Sequence, residues 1–435
     1  MLENLIYLFV AIIAVGLPVL YFLRERKKSR IARITLEKAV ERGLDEPVSL
    51  HPFIDPAICI GTAACVKACP ESNVLGVIEN RGQLINPAKC IGHGQCQAAC
   101  PVDAITLVFG TAKRGVDIPY VSGTFETNRP GIYIAGELGG MGLIRNAITQ
   151  GKQAAQNIAL SLEGVTRGGE LDLVIVGAGP AGIAAALQAK KDGLQFVLLD
   201  QVDLGGTILT YPRRKLVMTQ PMDLPIYGKI VAREIQKEEL LTIFKDVFRK
   251  TGLEAQTDQK VDEITGENGF LMVRTARHEY AARRVLLSIG RRGSPRKLGV
   301  PGENSGKVFY RLLDPEKFHD LQVLVVGGGD SAVEAAVALA EQPGNTVFLS
   351  YRREAIFRIK EGNERRLEEA VRDGRITPVY KSEVTRIEER TVHLMQDGSE
   401  LHLPNDFTFV FAGGELPTEF LKKAGIEFTR KFGEA

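Results

Sequence analysis

The spacing of apolar positions changes along the chain, and each change predicts a different element. Residues 5–23, LIYLFVAIIAVGLPVLYFL, carry no charge. As a helix this run is long enough to cross a hydrocarbon core of about 30 Å. Basic residues follow it from Arg24 to Arg33 and only Glu3 precedes it, the reverse of a signal peptide's charge order. Pro18 falls near the end of the run, where a spanning helix tolerates it. The expectation for residues 1–30 is a single-pass transmembrane helix in the cell inner membrane, with the basic flank holding everything downstream in the cytoplasm. ITLEKAVERGL (34–44) then has helical spacing and stops at Gly43, which predicts a short stalk over 31–50.

Two later segments read as a continuous apolar strand, a glycine turn, a helix and a second strand. The first is LDLVIVGAGPAGIAAALQAKKDGLQFVLLD (171–200), and the second is LQVLVVGGGDSAVEAAVALAEQPGNTVFLSYRRE (321–354). With 435 residues the chain is too long for one domain. Its net charge of +2 argues against a nucleic-acid partner.

All six cysteines lie between Cys59 and Cys100, in CIGTAACVKACP (59–70) and CIGHGQCQAACP (90–101). The repeated C-x₅-C-x₃-C-P spacing favours metal ligation over a disulfide framework, and thiolate ligands suit a reducing compartment. Each run is one residue short of the iron–sulfur pattern C-x₂-C-x₂-C-x₃-C-P, with Thr62 or His93 at the second cysteine. Residues 51–108 are too few for a large core, so bound clusters would have to hold them together.

In the first strand–turn–helix, Gly177, Gly179 and Gly182 form G-x-G-x-x-G in its full context. Gly177 makes the tight turn, Gly179 lets backbone approach a pyrophosphate, and Gly182 lets helix and strand pack closely. Asp200, at the end of the second strand, is placed to accept from a ribose hydroxyl, which suits FAD. The second turn has Gly327 and Gly329, with Ala332 for the third glycine. Its second strand ends in Ser350 and Arg352–Arg353, and arginine there suits the 2′-phosphate of NADPH. Arg358 and Lys360 are further candidates for that phosphate.

Residues 171–425 resemble the thioredoxin-reductase-like flavoproteins, a family that includes ferredoxin–NADP reductases and low-molecular-weight disulfide reductases. The resemblance rests on GGGDSAVEAA and YRREAIFR, close to its NADPH motifs, and on VLLSIG (285–290), similar to its link between domains. It implies an α/β fold with two Rossmann-like dinucleotide-binding domains, for FAD and NADPH. The redox C-x-x-C of thioredoxin reductases is absent, since KVFYRLLDPEKF (307–318) stands in its place. NRPGIYIAGELGGMGLIRNAITQGKQAAQNIA (128–159) resembles the segment that ends these flavoproteins, here ahead of the FAD glycines and with Glu137 for the family's Asp. That order implies a circular permutation. GIYIAG (131–136) should then lie beside the strand carrying LVIVGAG, with Gly136 and Glu137 facing the flavin ribityl chain and the tail after Gly425 near Gly115. The implied domains are 109–165 as the moved FAD piece, 170–300 for FAD, 301–405 for NADPH, and 406–435 returning to the FAD domain.

The cysteine repeat resembles a small α+β bacterial two-cluster ferredoxin. That resemblance implies one cluster on Cys59, Cys65 and Cys100 and the other on Cys90, Cys96 and Cys69. Three thiolates suit a 3Fe-4S cluster, or a 4Fe-4S cluster with His93 or water on the open iron; a decayed, empty domain is the bland alternative. Flavin exchanges two electrons with nicotinamide and clusters carry one at a time, so the set reads as an NADPH-dependent oxidoreductase serving a redox protein or quinone-linked acceptor. No Ser/His/Asp or paired-carboxylate constellation competes, and no catalytic side chain is named. A redox sensor or assembly factor with labile clusters is the second reading, and direct flavin reduction of a small external disulfide the third. A homodimer is left open.

Overall fold

Apart from Gly16 and Pro18, little from Leu2 to Glu41 opposes helix formation, and the chain forms one helix there, α1 (Leu2–Glu41). In this computed structural model the described residues are 2–47, 50–71, 73–140, 142–164, 168, 170–211, 213, 215–218, 221–231, 235–267, 270–291, 295–356, 359–415 and 417–433. Side chains of α1 are described at Ile12 and from Ala14 onward. Gly43 ends the helix with φ +61°. Leu44 N donates to Ala39 O (2.8 Å) and Gly43 N to Val40 O (2.9 Å), the bond pair of a left-handed glycine stop.

The expected membrane anchor is overturned. Among the described residues no helix is long and apolar enough to cross a membrane. The side chains of residues 5–11 and 13 in the expected span lie outside the described ones. The expected inner-membrane location, which rested on that anchor, falls with it. The helix instead runs straight on through the basic stretch. Ala32 and Leu36 pack on Ile78 and Ile85, Arg33 pairs with Glu79, and Glu79 N donates to Ser29 Oγ (3.2 Å).

The chain divides into two compact units, Met1–Val116 with Arg430–Ala435, and Asp117–Thr429. In the first, α1 is followed by two similar halves. One is β1 (His51–Ile54), α2 (Ala64–Ala68) and β2 (Leu75–Ile78); the other is β3 (Arg81–Leu84), α3 (Gln95–Ala98) and β4 (Ile105–Val108). β1 pairs antiparallel with β4 and β2 with β3. Glu79 and Asn80, both at positive φ, make the two-residue turn between β2 and β3.

The second unit begins in β5 (Val116–Pro119), then β6 (Ile132–Ile134), α4 (Ile144–Ser161), β7 (Leu171–Val176), α5 (Pro180–Lys191) and β8 (Phe196–Leu199). Two ribbons follow, β9 (Leu216–Met218) with β12 (Ile235–Gln236) and β10 (Met222–Leu224) with β11 (Gly228–Ile230). After α6 (Lys237–Thr251) come β13 (Val261–Glu267), β14 (Phe270–Thr275) and β15 (Glu279–Leu287). One sheet runs β13-β14-β15-β7-β8, with β6 added to β15. Leu173, Val174 and Ile175 are wholly buried, as a parallel strand covered on both faces requires.

The chain continues with β16 (Val308–Phe309), β17 (Gln322–Val326), α7 (Asp330–Ala340), β18 (Thr346–Tyr351), α8 (Glu361–Arg372) and β19 (Ile376–Tyr380). Then come β20 (Ser382–Ile387), β21 (Thr391–Gln396), β22 (Ser399–Pro404), β23 (Phe407–Val410), α9 (Thr418–Lys423) and β24 (Phe428–Lys431). A second sheet, parallel throughout, has the order β16-β23-β17-β18-β19, β20-β21-β22 form an antiparallel meander, and β24 pairs with β5.

Candidate cofactor sites

At the end of β7 the chain must turn sharply, and each glycine there answers a different constraint. Gly177 has φ +104°, and a Cβ on it would stand 2.6 Å from Ser288 O. On Gly182 a Cβ would stand 1.8 Å from Gly177 O, whereas on Gly179 it would meet nothing nearer than 4.0 Å. The first and last are therefore packing glycines, and Gly179 leaves open room at the N-terminus of α5, where free N–H groups favour a phosphate. This cradle fits the pyrophosphate of FAD. Asp200 is buried; its Oδ2 accepts from Ala178 N (2.7 Å) and its Oδ1 from Val202 N (2.8 Å). Burial raises its pKa while those amides oppose the rise. Its carboxylate thus ties the glycine turn to the end of β8.

Residues 131–161 join this same domain. β6 pairs parallel with Val285–Leu287 of β15, which itself pairs with β7. The strand therefore lies one place away from the expected position beside β7. Gly136 is buried at φ +86°, and its N–H donates to Gln150 Oε1 (2.8 Å) on α4. Glu137 follows it, half-buried, in a short 3₁₀ turn. α4 lies tightly against α5, sharing a core of Ile148, Ala154 and Ile158 with Ile183 and Leu187. Near the tail, a Cβ on Gly115 would stand 2.5 Å from Arg430 Nε. Asn128 Nδ2 donates to Gly425 O (3.0 Å), and Glu427 N donates to Asn128 Oδ1 (2.8 Å).

The second turn repeats the first with one relaxation. Gly327 has φ +145°, a Cβ on it would lie 2.6 Å from Phe411 O, and Gly329 again faces open space. Ala332 is buried with its methyl accommodated, where the first turn has no room at Gly182. This opening fits a second dinucleotide. Ser350 Oγ is wholly buried and 2.7 Å from Ser382 Oγ, which occupies it internally. Arg352 and Arg353 are exposed just beyond β18. Neither guanidinium forms an ion pair with a described residue, so both are available to a phosphate. Arg358 lies outside the described residues.

The six cysteines fall into two groups. Burial pushes the Cys65 thiol up, and Cys59 and Cys100 nearby add to the rise. Burial likewise lifts Cys96 to about 11, with Cys90 and Cys69 beside it. Cys69 and Cys90 are raised too, chiefly by burial. Gly82 N donates to Cys59 Sγ (3.3 Å) and Ala104 N to Cys100 Sγ (3.3 Å); such bonds stabilise negative sulfur. A zinc ion would hold its sulfurs about 3.8 Å apart. Among the described residues no three cysteine sulfurs gather within 4.8 Å. Neither group of three sulfurs is therefore drawn together around a single shared ion. His93 lines one cavity with Cys69, Cys90 and Cys96, its Nε2 3.9 Å from Glu71 Oε1. Thr62 is exposed, and its Oγ1 accepts from Ala64 N (3.4 Å).

Two contributors escape a reading of the sequence. Gly82 shares the space of Cys59 and Cys65, for a Cβ there would lie 3.7 and 3.5 Å from their sulfurs; its one clue is the turn "NRGQ" between the runs. Gln150 is the second: it lies within the segment 128–159, but nothing in that segment's sequence shows that it accepts from the Gly136 N–H.

Residues 174–433 match the family described as pyridine nucleotide-disulphide oxidoreductase, and residues 51–101 match the 4Fe-4S dicluster domain. The chain is similar to a ferredoxin–NADP reductase of Ignicoccus hospitalis, 30% identical over 267 residues, 60% of this chain and 83% of that protein. It is similar to bacilliredoxin reductase of Bacillus subtilis, 26% identical over 265 residues, 60% of this chain and 82% of that one. Among solved structures, a bacillithiol disulfide reductase from Bacillus cereus is 25% identical with a TM-score of 0.55, covering 59% of this chain and 82% of its own.

Proposed function

The chain belongs to the pyridine nucleotide-disulphide oxidoreductases, NAD(P)H-dependent flavoproteins, and on that premise we propose that it moves electrons between NADPH, FAD, two iron–sulfur clusters and an external one-electron acceptor. Bound flavin and nicotinamide supply two-electron exchange, and the clusters supply one-electron transfer. The rest is positioning by this chain's residues. The N-terminus of α5 receives the FAD pyrophosphate beside Gly179, and Asp200 accepts from the ribose. Arg352 and Arg353 take the 2′-phosphate of NADPH. Cys59, Cys65 and Cys100 hold one cluster, and Cys69, Cys90 and Cys96 hold the other, with His93 as its fourth side chain. Because Thr62 is exposed and engaged with Ala64 N, the first cluster keeps an open corner.

The observation that carries this reading is the pair of separate cysteine groups in a chain with two dinucleotide turns and no cysteine after Cys100. A circular permutation accounts for residues 131–161 completing the domain of β7 and α5, and for residues 425–427 bonding to Asn128. The acceptor is a ferredoxin, a cytochrome or a quinone-linked protein. Steady anaerobic NADPH oxidation by the loaded protein with ferricyanide supports the proposal, and no turnover would favour a redox sensor. A second reading, flavin reduction of a small external disulfide, is favoured by similarity to the bacilliredoxin and bacillithiol disulfide reductases. With no cysteine after Cys100, and so none in the dinucleotide-binding part of the chain, such a disulfide would have to meet the flavin directly.

A further inference from the structure

The meander β20-β21-β22 carries a group of side chains unused by any site above. Asp397 and Gly398, both at positive φ, join β21 to β22 in a two-residue turn. That turn sets His393 opposite His402, with ring centroids 4.5 Å apart and planes at 87°. Glu400 is two residues before His402 and shares its face. Glu400 Oε1 lies 3.4 Å from His393 Nδ1 and 4.0 Å from His402 Nε2. All three ligand atoms fall within 4.8 Å of one another. A tetrahedral ion with bonds of about 2.0–2.1 Å separates its ligand atoms by about 3.3 Å, so the His393–Glu400 distance already fits, the His402–Glu400 distance needs a small closure, and the two imidazole nitrogens lie within 4.8 Å.

His393 supplies an independent observation. Its side chain is only 8% exposed, and its Nε2 stands 3.2 Å from Glu388 Oε2. A cation on Nδ1 would leave the ring proton on Nε2, facing the Glu388 carboxylate. Histidines that ligate a metal through one nitrogen usually present the other to such a carboxylate.

We propose that His393, His402 and Glu400 bind a divalent transition-metal cation of the zinc class, with Glu388 orienting His393. Two imidazoles and one carboxylate select a borderline metal over magnesium or calcium, which prefer oxygen ligands throughout. The fourth position is open to water. By joining β21 to β22 and engaging the end of β20, the ion stabilises the meander against unfolding.

Zinc chloride titrated into the full chain, loaded with flavin and clusters, tests this by calorimetry and thermal unfolding. The expected result is one zinc per chain beyond the cluster iron, with a raised unfolding midpoint. His402→Ala and Glu400→Ala each weaken binding at least tenfold and abolish the thermal shift. Glu388→Gln weakens it about 10- to 100-fold, and His319→Ala, elsewhere on the surface, changes nothing. Should His402→Ala not fold, His402→Gln takes its place. Zinc uptake that is equal in wild type and both ligand variants, or no uptake by wild type, overturns the proposal.

Discussion

Gly151, midway along α4, faces Ala181 of α5 so closely that a Cβ on it would stand 2.0 Å from the Ala181 carbonyl oxygen. Gly136 meets the same residue, its added Cβ falling 3.0 Å from Ala181 Cβ. Gly151→Ala should therefore push α4 away from the first glycine turn. Overpacking of this kind costs about 1–3 kcal/mol, read as a lower urea midpoint together with weaker FAD retention. A variant that unfolds and holds FAD like the wild type would show that the contact relaxes freely.

Arg352 and Arg353 are exposed beyond β18 with no ion-pair partner among the described residues. A charge-assisted contact to phosphate is worth about 1.5–3 kcal/mol, so NADPH should reduce the flavin at least about tenfold more efficiently than NADH. Arg352→Ala with Arg353→Ala should erase that preference and leave FAD bound. If the double variant still discriminates, the phosphate is held elsewhere, with Arg358 and Lys360 the next to replace.

The two cysteine groups should titrate out separately. Anaerobic protein should carry roughly six to eight irons, the span between two three-iron and two four-iron clusters. Cys65→Ser should remove the cluster shared with Cys59 and Cys100, and Cys96→Ser the one shared with Cys69 and Cys90. Loss of all iron from either single variant would mean that the sites are not independent.

What the sequence reveals depends on how local the constraint is. The glycine turns are legible because strand, turn and helix are contiguous and Gly177 and Gly182 each answer a clash within a few residues or with the adjoining strand. The partner of β6 is not, because residues 132–134 are buried throughout and carry no register signal. Their place follows from β14, which occupies the edge of β15 at Glu279–Ala282 and leaves Val285–Leu287 free. Asp200 reads as a ribose acceptor from its position, but only the fold reveals its bonds to Ala178 and Val202. The apolar run at 5–23 suggests a membrane by its composition, and nothing in that composition shows that the same helix continues to Glu41 and packs on Ile78 and Ile85 through Ala32 and Leu36. His393 and His402 stand symmetrically about the Asp397–Gly398 turn, a pairing legible in principle, yet alternating polar residues on a hairpin read as ordinary surface.

A shortened chain beginning at Glu170 tests the permutation. It lacks β6 and α4, which supply Ile148, Ala154 and Ile158 to the core around α5, so it should lose FAD even if it still folds well enough to bind NADPH weakly. A stable yellow protein from that chain would show that residues 131–161 are not part of the flavin site.

The most direct test of the central claim is an anaerobic NADPH titration of the loaded protein, followed by flavin absorbance and low-temperature electron spin resonance. Electrons from NADPH should bleach the flavin and then reach the clusters, seen as a new signal from a reduced four-iron cluster or as loss of the signal of an oxidised three-iron cluster, with one set of cluster changes missing in Cys65→Ser and the other in Cys96→Ser. Clusters that stay oxidised beside a fully reduced flavin, or iron-free protein that passes electrons to ferricyanide at the wild-type rate, would contradict it.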